Sequence, residues 1–236
     1  MVTKIVQNIE RIRAEIALAA EKAGRAASDV KLMGVTKFHP IEMMVEAAPH
    51  LDLIGENKVQ EAVGKRAAWK SGKCCAWHMI GHLQRNKVRR ALSTFDLIES
   101  IDKLETASAV SRVMSESEEN GVVRKYPIFI EVNMSHEAAK SGADPKDVER
   151  MVAAILKECP NVSVDGLMTV AADTDDEKVL HETFAGLRGI RDKLRAATGL
   201  ALPELSMGMS GDFKIAIEEG STIVRIGSAI FGPRNY

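Results

Sequence analysis

Short, almost wholly apolar runs alternate with segments of helical period along the whole chain, and few folds accommodate that rhythm. Residues 3–23 place Ile5, Ile9, Ile12, Ile16 and Ala19 on one helical face and stop at Gly24. Residues 31–35 then read as a buried strand, and Pro40 opens a helix over 41–48. The pairing repeats as strand 51–54 with helix 59–69, 76–80 with 84–92, 96–99 with 103–119, 128–132 with 145–157, and 164–168 with 176–197. Leu205 and the run 223–226 mark strands seven and eight, separated by a short helix over 212–219. Strands that are apolar throughout belong in a parallel sheet covered on both faces. Eight such units in 236 residues suit closure into a (β/α)8 TIM-type barrel, with an extra N-terminal helix, better than an open doubly wound sheet. No linker, repeat or low-complexity segment marks a second domain, so residues 1–236 are expected to form one barrel domain.

A hydrophobic content of 45% supports a sizeable core, and a net charge of −1 draws the molecule to neither nucleic acid nor membrane. No apolar run reaches membrane-spanning length. Of three cysteines, Cys74 and Cys75 are adjacent, poor geometry for a mutual disulfide, and neither has a metal-type partner. A reduced, cytoplasmic protein is expected. Without a second domain or a long apolar edge it is also expected to be a monomer.

Barrels of this class collect functional groups where their strands end. The first six ends carry Thr36-Lys37, Gly55-Glu56-Asn57, His78 to Gly81, Ser100, Asn133-Met134-Ser135 and Met168-Thr169. The last two stop abruptly in small residues, at Ser206-Met207-Gly208-Met209-Ser210-Gly211-Asp212 and Gly227-Ser228. Small-residue strand ends before a helix present free backbone N–H groups, which suits a phosphate, although plain turns share this composition. Lys37 follows the first strand and points its amine at the barrel mouth, where low dielectric favours the free, nucleophilic form; a snorkelling lysine is the alternative. An amine facing a phosphate cup suits a Schiff base with a phosphorylated aldehyde, either a sugar phosphate or pyridoxal 5′-phosphate (PLP). Arg225 lies two residues before Gly227, on the side of the cup, where it can meet a pyridine nitrogen. A class I aldolase would need acidic residues near the lysine, and Glu56 alone stands ready for that. PLP is therefore preferred.

Other candidates have plainer readings. His78 and His82 are four residues apart, but no carboxylate follows at a spacing that completes a zinc site, and His78 reads as a hydrogen-bonding residue of the barrel mouth. Arg85, Lys87, Arg89 and Arg90 lack interleaved aromatics and read as a solvated face. Residues 115–120 read as a solvated helix end, and the 11 methionines as core filler.

Together these segments resemble the pyridoxal phosphate homeostasis protein family from Leu32 to Tyr236. The resemblance is carried by Val35-Thr36-Lys37, Gly55-Glu56-Asn57 with Val59-Gln60-Glu61, and residues 77–87 from Trp77 to Lys87. It continues through Asn133-Met134-Ser135 with Glu137, Lys140 and Gly142, through Gly166-Leu167-Met168, and through the two small-residue strand ends. It implies a barrel similar to the N-terminal domain of alanine racemase, with PLP on Lys37 and its phosphate around Ser206, Ser210, Gly227 and Ser228. It further implies Arg225 near the pyridine nitrogen, with Asn57, Ile80 and Met207 lining the cofactor. Phe38-His39 stands where the family pattern suggests Thr-Lys, Ser228 where Thr is frequent, and Gly211 where Asp is common.

Racemisation needs acid–base groups on both faces of the cofactor, and in the racemases that this chain resembles a tyrosine from a second domain serves one of them. Here the tyrosines are Tyr126, at the far end of the barrel, and Tyr236, and the sequence ends eight residues after Ser228. An arginine at the pyridine nitrogen also weakens the ring as an electron sink. The expected function is a PLP carrier in cofactor homeostasis, without catalytic residues or metal, serving PLP-dependent apoenzymes as recipients. The alternative is a low-activity PLP-dependent amino-acid racemase.

Overall fold

The computed structural model describes residues 3–69, 75–116, 125–135, 137 and 140–232. Thr3 caps α1 (Lys4–Lys22) by accepting a bond from the Val6 amide, and Ile9, Ile12 and Ile16 form its buried face. Eight units follow: β1 (Lys31–Val35) and α2 (Ile41–Ala47); β2 (Leu53–Glu56) and α3 (Val59–Ala68); β3 (Ala76–Met79) and α4 (Val88–Leu92). Next come β4 (Leu97–Ile101) and α5 (Leu104–Ser115); β5 (Tyr126–Glu131) and α6 (Val148–Glu158); β6 (Val162–Met168) and α7 (Glu177–Thr198). The chain closes with β7 (Glu204–Ser206), α8 (Phe213–Glu218), β8 (Ile223–Ile226) and α9 (Ser228–Phe231). Each strand pairs in parallel with the next, and β8 returns to β1, with Met33 opposite Arg225. The expected closed barrel with an added N-terminal helix is the observed fold.

Two of the differences from the sequence reading share one cause. β2 runs to Glu56 rather than stopping at Ile54, and β4 continues past Glu99 to Ile101. Charged residues look like strand ends, but here Glu56 and Glu99 are fully buried and hydrogen-bonded inside their strands. A further difference is α9, a single helical turn directly after Gly227, where the sequence reading placed no element.

The strand period of two separates the layers. Leu32, Val224 and Ile226 face outward and pack with Ile9, Ile12 and Ile16 of α1. Met33, Leu53, Leu97, Phe129, Met168 and Ile223 form an apolar plug of their own. Each such side chain contributes about 1.5–3 kcal/mol on burial. A polar layer of His78, Glu99, Glu131, Ser206 and Arg225 is buried beside this plug.

Cys75 and Cys159 are buried, the Cys75 thiol donating to the Ala48 carbonyl at 3.2 Å, whereas Cys74 and Tyr236 lie outside the described residues. Of the charged segment 115–120, the described part includes Glu116, which accepts a bond from Arg89 of the basic run; residues 117–120 lie outside the described residues. Among the described residues no helix is long and apolar enough to cross a membrane.

Candidate cofactor site

The ends of β1 and β8 and the loop after β7 enclose a cavity of about 280 Å³. Six of the nine residues singled out in the sequence line it: Lys37, Ile80, Ser210, Arg225, Gly227 and Ser228. Lys37 sits in the turn after β1, half-buried. Across from it, the Ser228 hydroxyl donates to the Ser210 hydroxyl at 3.4 Å, which joins the two small-residue strand ends. The loop between them is shaped by Gly208, whose φ of +97° is left-handed. A Cβ there would lie 2.9 Å from the Phe213 Cα and 2.7 Å from the Ala216 Cβ. Asp212 closes the same loop by accepting the Met209 amide. Burial raises the Asp212 pKa, against that hydrogen bond and the charge of Arg225.

Three expected residues lie elsewhere. Ser206 is fully buried, and its hydroxyl donates to Glu99 Oε2 while accepting from Arg225 Nη1 at 2.8 Å. It therefore belongs to the support of Arg225 and does not line the cavity beside Ser210. Met207 is fully buried in the outer core with Ala216, its carbonyl taken by the Ser221 hydroxyl at 2.7 Å. Its side chain faces the helices and not the cavity, because β7 turns Leu205 and Met207 outward. Asn57 packs against the loop after β3, where a Cβ on Gly81 would come within 2.2 Å of the Asn57 carbonyl.

Arg225 is anchored at both ends of its guanidinium, donating to Ser206 and, at 2.7 Å, to the Thr169 carbonyl. Burial lowers its pKa, while Glu99, Asp212 and Glu131 oppose that shift. Glu99 also holds His78 Nδ1 at 2.6 Å, so a buried polar chain runs His78–Glu99–Ser206–Arg225–Thr169 across the barrel. His82, by contrast, is an exposed loop residue. The Glu131 carboxyl is pushed up to about 7 by burial, with Asp102 adding to the shift and Arg225 opposing it.

Glu99 and Glu131 are the site residues that sequence reasoning missed. Their signal was present as single carboxylates placed two residues beyond Leu97 and Phe129 in otherwise apolar strands. Glu56, the one acid expected to be placed for the lysine, does not line the cavity. Glu56 faces outward, fully buried, accepting from Thr36 Oγ1 and Lys65 Nζ, each at 2.6 Å. Among the described residues no carboxylate lines the cavity with Lys37, in keeping with the preference for PLP over a sugar phosphate. Tyr126 is placed as expected, buried at the start of β5 with its hydroxyl donating to the Phe95 carbonyl at 2.6 Å.

Known proteins decide the family. A sequence model of the alanine racemase N-terminal domain matches residues 7–235. The pyridoxal phosphate homeostasis protein of Aquifex aeolicus is 39% identical over 231 residues, 98% of each chain. The chain belongs to the pyridoxal phosphate homeostasis protein family. A solved structure described as PipY of Synechococcus elongatus with PLP bound is 32% identical, with a TM-score of 0.79, over 92% of this chain and all of that one (100%). Alanine racemase from Clostridium difficile is 16% identical with a TM-score of 0.73, covering 97% of this chain and 57% of the racemase, which shows the shared fold.

Proposed function

We propose that this member of the family holds PLP in the cavity between Lys37 and Arg225 and acts as a carrier in cofactor homeostasis, the whole chain forming one PLP-binding domain. The observation that carries the reading is the donor set of a single cavity: a primary amine, two hydroxyls beside a glycine-rich strand end, and a guanidinium. This set fits three of the polar groups of PLP, its aldehyde, phosphate and ring nitrogen. When bound, PLP supplies an aldehyde that condenses with an amine and a ring that withdraws electrons.

Lys37 is the amine for Schiff-base attachment, offered from the turn after β1. Ser210, Ser228 and the backbone at Gly227 bind the phosphate, where charge-assisted hydrogen bonds in low dielectric are strong. Ile80 covers the apolar side. Arg225 donates a hydrogen bond to the ring nitrogen and, as a guanidinium, does not hand over its proton. Arg225 would thus keep that nitrogen unprotonated, which would weaken the ring as an electron sink and favour retention over turnover. The placement of Tyr126 far from the cavity and the homeostasis names of the relatives support the carrier reading over a racemase. The recipients are PLP-dependent apoenzymes, and the protein works as a monomer in the cytoplasm, a compartment that fits a chain with three cysteines and no paired spacing.

The test is the absorption spectrum and intact mass of the purified protein before and after borohydride, with steady-state assays on a panel of L-amino acids. A yellow protein that borohydride bleaches while adding the mass of reduced PLP, with no turnover in the usual enzymatic range of about 1–10³ s⁻¹, is the expected result. Racemisation in that range, lost in Lys37→Ala, would replace the carrier reading by the enzyme. A colourless protein would remove PLP.

A further inference from the structure

The residues on either side of Lys37 are tied to one buried ionic cluster. Lys65 on α3 is almost wholly enclosed, and its ammonium donates to Glu56 Oε1 at 2.6 Å, Glu61 Oε1 at 2.6 Å and the Thr36 carbonyl at 2.7 Å. Those three bonds use every proton an ammonium has. Thr36 returns a bond from its hydroxyl to Glu56 Oε1 at 2.6 Å, and the Phe38 amide donates to Glu61 Oε1 at 2.6 Å. The cluster thus grips the residue before Lys37 through its carbonyl and side chain, and the residue after it through its amide.

Phe38 bears the mark of that grip. Its φ is +66°, a left-handed conformation that a bulky residue rarely adopts. Such backbone persists where the surroundings over-determine it, and it gathers at functional sites. Glu61 and Lys65 are one helical turn apart on α3 and paired with each other, and α3 is seated by the buried Val59 and Ala62. Glu56 is committed to the cluster: its second oxygen is buried without a hydrogen-bond partner. A pair kept only to stabilise the β2–α3 unit has no need to reach across to the two peptide groups that flank the cavity lysine.

We propose that Glu61 and Lys65 are positioning residues for Lys37, holding the turn Thr36–Phe38 so that the Lys37 amine is aimed into the cavity before any ligand arrives. This rests on the assignment of Lys37 as the attachment point for PLP. Pre-organisation of this kind accelerates a covalent step without adding a contact to the ligand.

The experiment follows the rate at which PLP condenses with Lys37, by absorbance, beside the affinity for 4′-deoxypyridoxine 5′-phosphate, which lacks the aldehyde. Glu61→Ala is expected to slow condensation about tenfold, as fits the loss of one hydrogen bond to a charged group. It should leave the analogue's affinity within about twofold, because the phosphate and ring contacts are untouched. Glu61→Gln keeps an acceptor for the Phe38 amide and should condense close to the wild-type rate. Adding Phe38→Gly to Glu61→Ala removes the cost of the left-handed backbone and should recover most of the lost rate. Unchanged condensation in Glu61→Ala would overturn the proposal. So would an equal loss of analogue affinity, which would show that the cluster supports the whole pocket. A borohydride-fixed adduct mapped to another lysine in the wild type would overturn the Lys37 assignment and this proposal with it.

Discussion

Glu99 and Arg225 hold one hydroxyl from opposite sides, that of Ser206, which donates to the carboxyl and accepts from the guanidinium. The cation inside the barrel is therefore linked to its acid through a neutral side chain. Ser206 therefore does not line the cavity beside Ser210: its hydroxyl is already spent on both partners.

Removing Glu99 should be costly. Glu99→Ala leaves His78 and Ser206 without their acceptor and Arg225 buried with less compensation, a loss of about 3 kcal/mol on the scale of broken buried ion networks. Glu99→Gln, which keeps one acceptor, should cost less. Urea unfolding at neutral pH measures both, and equal, negligible effects would remove the network from the account.

Lys37→Ala should abolish the borohydride-fixed PLP adduct. Peptide mapping of the wild type should find it on Lys37 alone. A full-strength adduct in the variant would show the attachment site to be elsewhere.

Ser210→Ala combined with Ser228→Ala should release PLP much faster than wild type during dialysis against a PLP acceptor. Each hydroxyl bond to the phosphate is worth roughly 1.5–3 kcal/mol, and every ~1.4 kcal/mol is tenfold, so one to several orders of magnitude are expected. Pyridoxal, which lacks the phosphate, should hardly distinguish the two proteins. Retention equal to wild type would mean that the phosphate binds elsewhere.

Glu131 makes stability depend on pH. Its folded pKa is raised from 4.5 to about 7, so between these values the folded state holds a proton that the unfolded state has released. Stability from this group is therefore fully present below the lower value, falls as pH rises through the window, and levels off above about 7. Glu131→Gln cannot ionise and should escape that loss. Its stability relative to wild type should grow from pH 4.5 to pH 7 by up to about 3 kcal/mol, at ~1.4 kcal/mol per pH unit. A flat difference across this range, from denaturant melts at several pH values, would show that Glu131 ionises normally.

Much of the fold was legible because its signals are local. Apolar runs at strand length, helical periodicity and the glycine stops each depend on a few neighbouring residues, and the closed order β1 to β8 follows from their alternation. Lys37, Ser210, Gly227, Ser228 and Arg225 were legible because a strand end in this fold opens onto the mouth whichever strand carries it. Glu56 and Glu99 misled the strand boundaries because a charge reads as solvent-exposed unless its partner is known, and the partners are distant in sequence: Lys65 on α3, His78 on β3, Ser206 on β7.

What the sequence determined by itself is the barrel, the end at which the chemistry gathers, and the family. The tertiary structure decided which side chains face in. β7 has three residues, Glu204–Ser206, too few for an alternation to declare its inner face, so the fate of Ser206 and Met207 depended on its register between β6 and β8. The same is true of the cluster behind Lys37. No local rule brings Glu61 to the Phe38 amide; closing β2 and α3 against β1 does.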